Sequence, residues 1–217
     1  MSFANRTGDD RLQVNPEARD PLSAERKLWT TISAAEYQLD VFDDRLSNIF
    51  FAKDYVYAVK AEDPLPGNVF KRRNADTHSA GVGDSMRFRF TPWLYAKASY
   101  EYATQLPTPE KVFGDSIFIQ ANLELKPEVS HNVNVGPRFE FTRTPIGELM
   151  FETNGFLRDT ADQIVLLGND RYFSYQNVYH ARTWGGENAA TWASRSRLIS
   201  LDAGFSWLDQ RNASTDE

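Results

Sequence analysis

The residues with the widest chemical repertoire in this chain are three histidines, His78, His131 and His180, and a basic triplet, Lys71, Arg72 and Arg73. The histidines share none of the short spacings that mark zinc sites, and no cysteine is present to complete a ligand set. Metal binding, disulfides, thiol catalysis and iron–sulfur clusters are therefore not expected. "GVGDS", Gly81 to Ser85, lacks the Lys-Ser/Thr end of a phosphate-binding loop and leads into an alternating apolar run. Serines and acids are plentiful, but nothing pairs a nucleophile with a base. Asp43-Asp44 reads as a tight turn. The sequence thus predicts no catalytic residue, no cofactor and no enzyme activity. What remains is the Lys71–Arg73 run, which could attract an anionic ligand electrostatically. The plainer reading is a solvated run of loop charge.

These residues sit among elements whose dominant signal is period-2 alternation. In "LISLDAGFSW", Ile199, Leu201, Ala203, Phe205 and Trp207 face one way and Ser200, Asp202, Gly204 and Ser206 the other. "NVNVGPRFEF" opposes Val133, Val135, Phe139 and Phe141 to Asn132, Asn134, Arg138 and Glu140. "LYAKASYEY" and "MRFRF" repeat the pattern. The sequence predicts an all-β fold, an antiparallel meander of about eight strands near 28–42, 47–60, 80–90, 94–104, 131–142, 147–158, 172–190 and 197–209. In the first of these the apolar phase shifts between Ala34 and Tyr37, which predicts a bulge or a break.

The connections alternate in length. "DDRL", "TPW", "TRTPIG" and "TWASRS" are short; the stretches after Lys60, from Gln105 to Ser130 and from Thr160 to Arg171 are long and polar. Short turns at one end and long loops at the other are the pattern of an outer-membrane barrel. Phe42, Phe90, Trp93 and Trp192 gather near the short turns, where an aromatic ring suits a membrane–water interface. The longest aliphatic run is "IVLL", far short of the roughly 20 apolar residues that a spanning helix needs, whereas a spanning strand needs only about 9–11. The formal charge of −6 is spread over interspersed acids and bases, which provides no basic stripe for nucleic acid. From pattern alone a soluble β-sandwich-type binding module stays open beside the barrel, since both place one face of each strand against apolar surroundings.

Several stretches in order resemble the β-barrel of TonB-dependent outer-membrane receptors. "RFRFTPWLYAKASYEYATQLPTPEKVFGD" resembles the family's strand–turn–strand followed by an extracellular loop. "NLELKPEVSHNVNVG" is similar to its L-P-E-x-S-x-N-x-E-x-G signature, with Asn134 where Glu is commonest. "YQNVYHARTWGGE" resembles its Y-x-N-x-x-x-A-x-x-x-G-x-E strand through Tyr175, Asn177, Ala181, Gly185 or Gly186, and Glu187. The resemblance is good from about Arg87 to Ser214 and extends back towards Leu28. It implies a segment of a large transmembrane β-barrel, residence in the outer membrane, lipid as a partner, and capture of a small ligand such as a ferric siderophore by extracellular loops. Residues 1–27 then read as an extracellular-loop-like segment, 28–209 as partial barrel, and 210–217 as the start of a further loop. The family's signal peptide, plug and energy-coupling segment have no counterpart in this sequence, so the resemblance implies a partial barrel that is not transport-competent alone. Contact with TonB would run only through the N-terminal part that the chain lacks.

Overall fold

The structure, a computed structural model, describes residues 2–6, 25–65, 69–115, 118–169 and 172–214. Its strands are β1 (Ser2–Arg6), β2 (Arg26–Val41), β3 (Leu46–Leu65), β4 (Val69–Thr91), β5 (Leu94–Gln105), β6 (Ile119–Gln120), β7 (Glu128–Thr144), β8 (Gly147–Gly168), β9 (Phe173–Ala193) and β10 (Ser200–Asn212); one short helix, α1, covers Pro109–Phe113. All belong to one sheet, in the order β1-β2-β3-β4-β5-β7-β8-β9-β10, with β6 adding a parallel pair to β9. Every other pairing is antiparallel. No second sheet lies opposite among the described residues, so the sandwich alternative is not the architecture. The sheet is not closed: β1 and β10 stand at its two ends.

The predicted meander holds, with corrections to its elements. Residues 61–65 and 69–79, read from sequence as part of a polar loop, continue β3 and β4 as an extended ladder from Ala61↔Arg73 to Leu65↔Val69. Likewise β8 runs on to Gly168. The β3 and β4 stretches hid from pattern reading because their residues are mostly polar, and Ala61, like Ile164 of β8, is buried by a connection distant in sequence that no local period reveals. The expected irregularity near Ala34 is absent, since β2 pairs with β3 in one unbroken register from Arg26 to Val41. A bulge lies in β8 instead, where Asp162 takes a φ of 54° and the register with β9 shifts between Thr160 and Gln163 and again at Ile164; smaller shifts fall beside the tight turns at Arg89/Thr91 and Phe141/Thr144.

The four short turns lie at one end. Phe42, Asp43 and Asp44 take left-handed φ values of 57°, 52° and 60°, a conformation the aspartates tolerate best, and Arg45 N–H closes the turn on the Phe42 carbonyl at 3.2 Å. Gly147, at φ 124°, ends the Pro145-Ile146 turn where a side chain would run into the Ala193 carbonyl. Trp93 stacks on Phe141 with centroids 5.6 Å apart, and Trp192 Nε1 donates to the Ile146 carbonyl at 3.1 Å, so aromatic rings do border this end.

The core is small and sits at the other end. Leu28 of β2, Tyr57, Val59 and Ala61 of β3 and Ile164 of β8 bury their side chains against Val112 and Phe113 of α1 and against Leu123 and Leu125. Thus the long 106–127 connection folds onto one face of the sheet and presses four apolar side chains into it. The face that carries this loop is the inner face.

Candidate functional site

Register assigns every side chain to a face, because successive residues of a strand point to opposite sides. On the inner face near the tight turns, Arg138 of β7 lies between two carboxylates, its Nη2 2.6 Å from Glu140 and its Nη1 donating to Glu152 at 3.2 Å. Lys97 of β5 donates to the same Glu152 at 3.0 Å, and the Tyr95 hydroxyl donates to Glu140 at 3.1 Å. The Arg138 guanidinium also lies 5.6 Å from the Tyr95 ring centroid. Cross-strand pairing of β5, β7 and β8 brings these groups together, since Lys97 lies directly opposite Gly136 and Arg138 directly opposite Glu152.

Higher on the same face is an open chamber of about 700 Å³. Lys53 pairs with Glu101 at 3.2 Å on one side of it, and Arg158 Nε donates to Asn132 at 2.9 Å on the other. Gln105, Gln163 and Gln210 complete a lining of amides and hydroxyls in which two cations face Glu101 and Glu128. Chemically the chamber offers donors and acceptors in balance, fit to hold a polar solute and unequipped to transform one. Among the described residues there is no group of three or more His, Asp or Glu arranged to hold a metal ion.

The 106–127 connection roofs the inner face just beyond this chamber, over Tyr57, Val59 and Ala61, and polar bonds tie it down at several points. Arg26 Nη1 donates to the Phe113 carbonyl at 2.9 Å, and Asn122 Nδ2 donates to the Tyr175 carbonyl at 2.8 Å. The Asn177 side chain mimics a strand residue: its Oδ1 accepts from Lys126 N–H and its Nδ2 donates to the Lys126 carbonyl, both at 2.9 Å. α1 begins with Pro109 in its first turn, where the missing N–H costs nothing, and ends at Gly114 with φ 61°. Beneath it Tyr57 is 1% exposed, and burial raises the pKa of its phenol above the ordinary value.

The basic triplet falls in β4, and register splits it. Lys71 and Arg73 have the inner-face parity, and Arg73 reaches Glu124 of the roof at 3.2 Å. Arg72 points to the outer face, where it pairs with Glu62 at 3.2 Å. The three therefore do not form one cluster. Sequence reading missed the chamber altogether; its residues come from β3, β5, β7, β8, β9 and β10, and only the alternation of polar residues on several strands hinted at a wet inner wall.

The outer face contrasts sharply. Val133, Val135, Leu157, Trp184, Phe205 and Trp207 are exposed there, with Trp184 and Trp207 in edge-to-face contact at 4.9 Å. His131 and His180 also lie on this side, His131 accepting or donating at 2.9 Å to the Tyr100 hydroxyl and His180 against Asp159. His78, paired with Val56 across β3 and β4, shares the outer parity.

A polar inner wall, an apolar outer wall and turns of unequal length describe a barrel segment, and the family comparison agrees. The model of the TonB-dependent receptor-like β-barrel matches residues 10–217. The chain belongs to the TonB-dependent receptor family. This is a family of transporters of the outer membrane rather than of enzymes. Among solved structures, the copper transporter OprC superposes with a TM-score of 0.64 at 15% identity, over 88% of this chain and 30% of that one. The FrpB iron transporter from Neisseria meningitidis gives 0.64 at 14% identity, over 87% and 26%. The siderophore receptor PirA from Pseudomonas aeruginosa gives 0.54 at 15%, over 86% and 41%. The chain thus spans well under half the length of these relatives. No curated protein matches it in sequence.

Proposed function

We propose that this TonB-dependent receptor segment forms part of the wall of an outer-membrane transporter that takes up a scarce ligand, with the tight turns on the periplasmic side and the roofed, loop-bearing end on the outside. The observation that carries this reading is the division of one sheet into an apolar outer face and an inner face lined by ion pairs, amides and hydroxyls. Such a sheet is satisfied only with lipid on one side and water or protein on the other. The inner chamber, and beyond the 106–127 connection Lys71 and Arg73 on the same face, would meet the ligand; Arg72 would stay on the outer side. An anionic ferric siderophore suits the two inward cations, in keeping with the iron and siderophore transporters among the structural neighbours. Energy from TonB would be delivered through a part of the receptor other than this wall.

The chain contains no cysteine, so single cysteines report without background. Labels at positions 133, 135 and 157 of chain refolded in detergent should meet a lipid-soluble quencher, and labels at 132, 134 and 158 an aqueous one. Loss of this two-residue alternation, with all six positions open to water, would end the reading.

A further inference from the structure

We infer that the outer face carries a binding row for a phosphate-bearing lipid headgroup, formed by Arg182 and Arg211 with His131 and Tyr102. The inference rests on the barrel-wall reading above. Cross-strand register defines the row. Tyr102 lies opposite His131, His131 opposite Asp159, Asp159 opposite Arg182, and Arg182 opposite Arg211, five strands in succession. The two rows nearer the tight turns read Tyr100, Val133, Leu157, Trp184 and Asp209, then Ala98, Val135, Gly155, Gly186 and Trp207. On β7 and β8 the apolar stretch of this face runs from Val133 to Phe141 and from Leu149 to Leu157, close to the roughly 9–11 residues a tilted strand needs to cross hydrocarbon. Polar side chains begin at the next outward-facing position on β7, β8 and β9, at His131, Asp159 and Arg182, and one position earlier on β10, at Asp209. The row therefore lies where hydrocarbon gives way to headgroups, with the Trp184–Trp207 pair just inside it.

The row keeps open donors that a phosphate can use. Arg182 and Arg211 stand directly opposite each other, and their mutual repulsion is offset by the flanking carboxylates of Asp159 and Asp209, so what the pair offers an anion is the donors those carboxylates leave open. Each leans on one carboxylate by Nε and Nη2: Arg182 on Asp159 at 3.2 and 2.9 Å, Arg211 on Asp209 at 3.2 and 2.8 Å. Their side chains remain 51% and 72% exposed, with Nη1 of each unengaged among the described residues. Asp159 is shared further with His180. A phosphate monoester on a lipid whose chains lie along the apolar rows would accept from both guanidinium groups while its acyl part covers Trp184 and Trp207. The row is continuous with the lipid-facing wall, which is why the occupant is a lipid headgroup rather than an acidic protein.

Trp184 and Trp207 supply the readout. The chain in neutral dodecyl maltoside micelles is titrated with dansyl-labelled phosphatidic acid and, separately, with a dansyl-labelled neutral diacylglycerol, and energy transfer from tryptophan is followed. The phosphate lipid should take effect at concentrations roughly tenfold lower or more, and Arg182→Gln/Arg211→Gln should erase that preference, since each cation near an anionic surface is worth roughly fivefold. Arg182→Lys/Arg211→Lys should keep most of it, which guards against a simple failure to fold. Arg197→Gln, an equally exposed arginine at the tight-turn end, should change nothing. Equal response to both lipids, an unchanged preference in the double Gln variant, or full competition by millimolar inorganic phosphate would overturn the headgroup row while leaving the barrel wall standing. Transfer from neither lipid would overturn the wall and the row together.

Discussion

At the scale of single residues, the loop-bearing end depends on a handful of apolar contacts. Val112 and Phe113 are 0% and 2% exposed, although they lie in a connection whose composition is polar. Phe113→Asp would bury a carboxylate against Leu28, Val59 and Ile164 and should destabilise the roof by about 3–5 kcal/mol. Hydrogen exchange checks this: amides of Val112, Gly114 and Asn122, slow in the native chain, should become fast while those of β7 and β8 keep their protection. None of this was legible beforehand, because Val112, Phe113, Leu123 and Leu125 show no period of their own; their shared environment comes from strands distant in sequence. The placement of Lys71, Arg72 and Arg73 on two faces was hidden for a related reason. A run of like charge in a strand is divided between two faces, and only the pairing partner reveals which residue goes where.

At the scale of elements, alternation and turn chemistry carried most of the information. β7 and β10 were legible because one face of each meets an apolar environment, and the tight turns because Asp, Pro and Gly mark them. The strand extensions beyond Lys60 and before Ala80 were not, since their residues are mostly polar and the cover over Ala61 comes from a connection distant in sequence. Gly136 shows how closely paired strands constrain sequence. A Cβ there would lie 1.8 Å from the Thr153 carbonyl oxygen, in the stretch of the β7–β8 ladder between the Val135↔Gly155 and Arg138↔Glu152 pairs. Gly136→Ala should therefore force these strands apart and cost about 2–4 kcal/mol, more than a flexible side chain in the way would cost. A lowered urea midpoint for the loss of strand circular dichroism, several times the change produced by Gly155→Ala where the nearest atom is 3.7 Å away, would bear this out.

At the scale of the whole molecule, the question is what one wall can do. An unclosed sheet offers no enclosed path, and its end strands present unpaired backbone groups that hydrocarbon penalises by several kcal/mol each. The chain reconstituted alone in planar bilayers should accordingly give no stable conductance steps; regular, long-lived steps would mean that β1 and β10 meet after all. The position of the small core bears on the same question from another side. Leu28 and Ile164 belong to β2 and β8, with β3, β4, β5 and β7 between them, yet both belong to the one cluster that the four loop side chains complete. The loop is thus a chord drawn across an arc, and the length of a chord fixes the radius of its arc. By holding two distant strands at a set separation, the roof would determine how strongly the sheet curves, and so how wide a ring its outer end can join.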